Sequence, residues 1–262
     1  MSRNIEELLQ TAKDDGVLSG QSMQALMVAD IGQQIEAALG VPAMEIESSE
    51  VVLVTVMVDD SGSIKGAGNE QTMIDGHNYV YQTIIERSSR KDSILAHTRY
   101  LNGFVLFDYR PIMEAVMMDD TNYDACHGTP LYDQSVVLLG TVVAKAQEFA
   151  NEGVPVRTIT LIATDGHDEH SVSATPAKVA SIVNDMLMQE THIVAAMGID
   201  DGGRTDFAVV FKSMGLRDQW ILTPDNTQDE ILKAFALFSQ SAVQASQGAG
   251  SFSKTSVGGF VK

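Results

Sequence analysis

The run Val51-Val52-Leu53-Val54-Thr55-Val56-Met57-Val58 is apolar or β-branched throughout, shows no polar alternation, and stops abruptly on Asp59-Asp60-Ser61-Gly62-Ser63. A strand of that composition has to be buried on both faces, which happens in a parallel sheet with helices on each side. Open sheets of this class bind ligands beyond the carboxyl ends of their strands. Asp59, Ser61 and Ser63 alternate, so an extended or gently turning loop lets their side chains converge on one point. Oxygen donors arranged in that way suit a hard divalent cation.

Downstream, helical and extended patterns alternate. A helix is expected over residues 69–89, with Met73, Ile74, Tyr79, Val80, Thr83 and Ile84 towards the sheet. A strand over 99–107 is expected to join a short neighbour over 110–117 through a tight turn. Next come a helix over 131–150 led by Pro130, a strand over 156–164, and a helix over 175–189 with Pro176 at its start. A strand over 192–198, a helix over 205–214, a short strand over 219–222 and a last helix over 229–243 complete the series. The alternation predicts an α/β fold with a mainly parallel sheet covered on both faces.

Two flanks stand apart from this main domain of residues 50–243. Residues 1–49 read as a helical N-terminal extension. Ile5, Leu8, Leu9 and Ala12 fall at helical spacing before Gly16. A second helix, capped near Ser19, carries Met23, Leu26, Met27, Ile31, Ile35, Ala38 and Leu39 and stops at Gly40 and Pro42. Packing on the domain's flank is preferred over holding a partner. Residues 244–262, rich in Ser, Gly and Gln, read as a flexible tail in which Phe252 and Phe260 leave room for a short binding motif.

The chain has 262 residues and a formal charge of −18. Such acidity argues against nucleic acid as a partner, because that binding depends on Lys and Arg neutralising phosphates. It also disfavours an anionic membrane surface, and acts chiefly to keep the protein soluble. No window approaches a bilayer-spanning apolar length, and the start Met1-Ser2-Arg3-Asn4-Ile5 carries no leader pattern. Cys126 is the one cysteine, so no intrachain disulfide forms. The expectation is a cytoplasmic protein.

Two later segments supply further oxygens. Cys126-His127-Gly128-Thr129-Pro130 is a turn-rich loop opening a helix, and the strand over 156–164 ends on Asp165-Gly166. With Asp59-x-Ser61-x-Ser63, Thr129 and Asp165 complete the pattern of the metal-ion-dependent adhesion site. Over residues 50 to 240 the chain therefore resembles a von Willebrand factor type A domain, of the kind found inside bacteria. The resemblance implies a Rossmann-like sheet. It also implies Mg2+ (Mn2+ or Ca2+ as alternatives) held directly by the Ser61 and Ser63 hydroxyls, by Thr129 in the ligand-competent state, and through water by Asp59 and Asp165. The partner would be a protein whose Asp or Glu fills the open position, with no enzymatic activity. Intracellular relatives imply work beside a MoxR-type AAA+ ATPase or in stress and tellurium-resistance systems, and a two-state motion of the last helix is implied by the same analogy. Asp60 departs from the apolar residue usual at its position and adds negative charge that strengthens cation capture but opposes an incoming carboxylate. Asp119, Asp120 and Asp124 add to that repulsion if they face the site, though a solvated loop is preferred.

Rival readings are weaker. An acidic pair after a first strand, with Asp108 further on, suits a phosphorylatable receiver domain, but the required Lys is replaced by Asp165 and Asp200 at later strand ends. A metal-dependent hydrolase is the enzymatic alternative; a hydrolase with a Ser nucleophile would want a G-x-S-x-G elbow and a positioned His, and Asp60-Ser61-Gly62-Ser63 lacks the first Gly. Cys126 and His127 are expected to point to opposite sides of an extended loop. His167 and His170 lack the spacing of zinc proteases. A self-assembling structural role would use the N-terminal helices and the tail. Trp220 is expected at the sheet edge, the methionines as core filler, and Lys145 and Arg157 as surface charges.

Overall fold

In a computed structural model, which describes residues 4–28 and 30–260, β1 (Val51–Val58) is buried at every residue. The other strands are β2 (Ile94–Tyr100), β3 (Val105–Pro111), β4 (Val156–Thr164), β5 (His192–Gly198) and β6 (Ile221–Leu222). The helices are α1 (Ile5–Asp14), α2 (Gly20–Leu26), α3 (Ile31–Glu36), α4 (Gly62–Gly66), α5 (Glu70–Arg87), α6 (Leu131–Asn151), α7 (Pro176–Met188), α8 (Phe207–Ser213), α9 (Gln228–Ser246) and α10 (Ala249–Gly258). The sheet order is β3-β2-β1-β4-β5-β6, with only the β2–β3 pair antiparallel. The predicted α/β architecture, a mostly parallel sheet with helices on both faces, is what forms.

Burial on both sides of β1 follows its alternation. Val52, Val54, Val56 and Val58 meet α5 and α9. Met57 joins the opposite core, built on α6, α7 and the N-terminal helices. The chain leaves β1 through α5 to β2 on one side and returns through α6 to β4 on the other. The β1–β4 junction is therefore a topological switch point, where the connections diverge and a crevice opens. No helix among the described residues is long and apolar enough to cross a membrane.

Four expectations are corrected. The strand foreseen over 99–107 straddles a hairpin: β2 ends at Tyr100, and Asn102-Gly103, with Gly103 at φ +96°, turns the chain into β3. Asn-Gly favours a tight hairpin turn, and that signal outweighs the apolar run across it. Residues 112–114 then form a 3-10 turn in place of a strand. The second N-terminal helix is broken between Leu26 and Ile31, where Asp30 adopts φ +70°. The tail foreseen as flexible extends α9 and then forms α10. Its few apolar groups find specific seats: Phe252 is buried, Phe260 packs edge-on to Trp220 at 4.8 Å, and Trp220 Nε1 donates to the Ser256 carbonyl at 3.1 Å. Residues 1–3, 29 and 261–262 of the two flanks lie outside the described residues.

The N-terminal segment packs on α6 and α7 and then seals an edge of the sheet. Val41 N donates to Tyr109 O at 2.8 Å and Tyr109 N to Ala38 O at 3.0 Å, so the chain runs beside β3. Lys145 and Arg157, expected at the surface, are buried instead. Lys145 Nζ donates to the Val41 carbonyl and to Glu148 Oε2, and Arg157 donates to Glu50 Oε2 at 2.8 Å. Both cations are tied to the segment leading into β1, a role that sequence spacing does not express.

Gly40 makes this docking possible. Its φ is +57°, and a Cβ there would stand 1.8 Å from Tyr109 O. Gly40→Ala must lift residues 38–41 off β3, so urea unfolding is expected to show a loss of about 2–4 kcal/mol, from the strained φ and the lost pairing together. A loss below about 0.5 kcal/mol, the level of an ordinary surface substitution, would contradict the edge-sealing role.

Candidate metal centre

Asp59 follows β1 directly, and its amide donates to Ala163 O of β4 at 2.9 Å. The parallel register, with Val58 opposite Ala163, therefore sets Asp59 beside Thr164 and Asp165. The Asp59 carboxylate is fully buried. One oxygen accepts from Ser61 N at 2.7 Å; the other accepts from the Thr164 hydroxyl and from Asp165 N at 3.3 Å. Burial holds its pKa above the usual carboxylate value, with these hydrogen bonds pulling the other way. The Tyr123 hydroxyl donates to the Asp59 carbonyl and closes the space behind it.

The loop after Asp59 is extended at Ser61 (φ −73°, ψ 159°) before the short α4. Gly62 N donates to His127 O at 3.0 Å and His127 N to Asp60 O at 3.1 Å, which draws the 126–129 segment alongside. Ser61 Oγ and Ser63 Oγ lie 2.9 Å apart, and Ser63 Oγ donates to Asp165 Oδ1 at 2.6 Å. Burial, and secondly the charge of Asp59, push Asp165 up to about 6 against the pull of the Ser63 bond.

Thr129 arrives from the opposite wall. Its amide donates to His170 Nδ1 at 2.9 Å, and its carbonyl accepts from Glu169 N at 3.1 Å and His170 N at 3.3 Å. No hydrogen bond of its hydroxyl is found among the described residues. A Cβ placed on Gly166 would stand 3.6 Å from Thr129 Oγ1 and 4.0 Å from Ser63 Oγ, so glycine leaves the space between the two hydroxyls open. Ser61, Ser63, Thr129 and Asp165 line a cleft of about 720 Å³ above the β1–β4 junction, and Asp59 lies beneath it.

Three hydroxyls and two carboxylates form an all-oxygen donor set, which fits a hard divalent cation of the Mg2+, Mn2+ or Ca2+ type. Among the described residues, no group of three or more His, Cys, Asp or Glu is placed to hold a metal ion. His170 is occupied in orienting Thr129, and His167 Nε2 lies 3.6 Å from Glu169.

Several positioning groups escaped the sequence reading. Thr164, the last residue of β4, holds Asp59, and His170 and Tyr123 act through backbone atoms. Asp133 accepts from the amides of Val172, Ser173 and Ala174, and Asp168 accepts from Tyr132 N, which pins the 166–174 loop to the start of α6. Only the Asp165-Thr164 adjacency was a visible signal.

Two expectations about neighbours change. Asp60 is 1% exposed and does not line the cleft; its Oδ1 accepts from Asn102 N at 3.0 Å and ties down the β2–β3 turn. Burial raises it to about 7, with Asp59 adding to the shift. Cys126 and His127 do not diverge: Sγ lies 3.8 Å from Nε2. The thiol, however, donates to Asp124 Oδ2 at 3.2 Å, and that bond raises its pKa, opposite to what a nucleophile needs.

These shifts set a pH dependence. Folded, Asp60 and Asp165 keep protons up to about pH 7 and about pH 6, whereas unfolded they lose them near 3.8. The metal-free folded state thus binds more protons in that window, and its stability falls as pH rises through it. Buried His77, His97 and His192, held down to about 4, about 3 and about 4, oppose this below their unfolded value of 6.5. Above that value the raised Asp60 still separates the two states. Urea unfolding in chelator is expected to show stability falling from about pH 6.5 to about pH 8, with a flatter profile for Asp60→Asn. Identical profiles for the two proteins would contradict the buried state of Asp60.

No protein-family model and no curated protein sequence matches the chain. Solved structures do. The pilus adhesin SpaC from Lactobacillus rhamnosus GG, in its open conformation, superimposes with a TM-score of 0.55 at 12% identity, over 76% of this chain and 30% of that one. The vWF domain of the type V pili tip protein Mfa5 from Porphyromonas gingivalis gives 0.52 at 9% identity, over 77% of this chain and 98% of that one. Proximal thread matrix protein 1 from the mussel byssus, with a zinc-occupied MIDAS motif, gives 0.47 at 16% identity, over 74% and 46%. The chain thus spans under half the length of SpaC and of the byssus protein. With six mostly parallel strands between two helical layers and nearly the whole Mfa5 domain superimposed, this chain has the von Willebrand factor type A fold.

Proposed function

We propose that the chain is a protein-interaction module that binds a partner's Asp or Glu carboxylate through a divalent cation held by Asp59, Ser61, Ser63, Thr129 and Asp165. One observation carries the reading: Ser63 Oγ sits between Ser61 Oγ and Asp165 Oδ1, while the unpaired Thr129 hydroxyl faces the same open space. A Mg2+ ion takes six oxygens and usually keeps some from outside the protein, so when bound it supplies positive charge and room for a partner's oxygen. Asp59, held by the Thr164 hydroxyl, and Asp165 supply the carboxylates beneath, Ser61 and Ser63 present hydroxyls from the α4 side, and His170 fixes Thr129 on the other wall.

Binding is favoured over catalysis because the serine hydroxyls are engaged with each other and with a carboxylate, and the Cys126 thiol is held protonated by Asp124. The same fold carries a pilus adhesin and a pili tip protein. The docked partner in a cytoplasmic setting would be a MoxR-type AAA+ ATPase or a component of a stress or tellurium-resistance system. Affinity capture with and without chelator checks this, and a set of captured proteins unchanged by chelator would dismiss it.

Thermal melting tests the site itself. At a Mg2+ concentration about 100-fold above its Kd, the ion is expected to stabilise the folded chain by about 2.7 kcal/mol. Ser63→Ala and Thr129→Val are expected to remove most of that gain. A melting temperature indifferent to Mg2+, Mn2+ and Ca2+ would overturn the proposal.

A further inference from the structure

The mouth of the cleft carries more acid than base. Asp165, Glu169, Asp200 and Asp201 line it, and Arg204 is the one Lys or Arg among its described lining residues. Arg204 Nε donates to the Asp201 carbonyl at 2.8 Å, and its charge acts on the Asp201 carboxylate. Just outside, Lys65 lies 3.6 Å from Glu70 and 3.8 Å from Asp124. The cations at the mouth are thus engaged by acids of their own chain, within a protein of formal charge −18. Like charges spread over that rim act over a screening length of about 8 Å at physiological salt, so they bear on whatever surrounds an incoming carboxylate.

A second observation marks the mouth as a place where a ligand sits. Thr129 is 6% exposed, lines the cleft, and its hydroxyl has no hydrogen-bond partner among the described residues. We propose that the partner offers its carboxylate from within a cluster of Lys and Arg, so that the acid reaches the cleft floor while its basic neighbours pair with Glu169, Asp201 and Asp124 on the rim. This inference rests on the metal-bridge reading of the site. It makes the recognised surface a basic protein segment with one central acid, and excludes acidic peptides. Complementary charge of this kind raises the association rate and selects among competing carboxylates.

Peptides test it directly against the full chain. Four fluorescent peptides of equal length carry a central Asp flanked by Lys, by Ser or by Glu, or a central Asn flanked by Lys, and anisotropy is read with Mg2+ and with chelator. The Lys-flanked Asp peptide is expected to bind about tenfold more tightly than the Ser-flanked one, in a Mg2+-dependent and salt-sensitive way, with the Glu-flanked one weakest. Charge reversal by Glu169→Lys with Asp124→Lys is expected to erase that preference. Equal, Mg2+-dependent binding of the Lys- and Ser-flanked peptides would overturn the inference and leave the metal bridge standing. Binding of the Lys-flanked peptides that ignores both chelator and the Asn replacement would overturn the bridge and the inference together, as would no binding at all.

Discussion

The carboxylate of Asp59 is the point on which this structure turns. It is fully buried at the end of the central strand, where an isolated ionised group would be very costly. Three donors, Ser61 N, the Thr164 hydroxyl and Asp165 N, gather around it; the parallel pairing of β1 with β4 places the last two, and the turn after β1 brings in the first. Even so, its pKa stays raised, as does that of Asp165. The hydrogen bonds therefore do not fully offset the burial. Two carboxylates held close together above their ordinary pKa form an arrangement that a divalent cation relieves, because its charge stabilises both anions at once.

The rest of the fold serves to keep that arrangement stiff. The 166–174 loop is tied to α6 through Asp133 and Asp168, and it carries His170, which orients Thr129. The Asp59–Ser63 loop is tied to the 126–129 segment by reciprocal backbone bonds, and to the β2–β3 turn by Asp60. The two chain ends do a different job. Residues 38–41 run beside the outer strand β3, and Phe260 N donates to Gln219 O in the 3-10 turn before β6, so both terminal segments are tied down near the ends of the sheet order. Exposed edges invite pairing with other chains, and residues 38–41 cover that of β3.

Much of this was legible in the sequence because it is written in local pattern. β1 and β4 are unbroken apolar runs, and Asp59, Ser61, Ser63 and Asp165 follow them directly, so strand assignment places them together at one end of the sheet. Thr129 was legible only through the family pattern, since its own loop carries no periodic signal. What stayed hidden depends on tertiary partners. Nothing in Lys145's helical surroundings announces that its ammonium seals the N-terminal segment, and nothing in a Ser- and Gly-rich tail announces a seat for Phe252. The Asn102-Gly103 turn is also a local signal, and in the structure it overrides the apolar run that crosses it.

Proton release on cation binding is the sharpest test of the central claim. Calorimetric titration of Mg2+ at about pH 6, repeated in buffers of different ionisation enthalpy, reads the number of protons displaced. With Asp165 raised to about 6 and so partly protonated in the metal-free protein, binding should expel protons at about pH 6, expel fewer at about pH 8, and lose most of this effect in Asp165→Asn. Heats that are identical in every buffer at about pH 6 would mean that the raised carboxylates are not the groups that meet the ion, and would contradict the account.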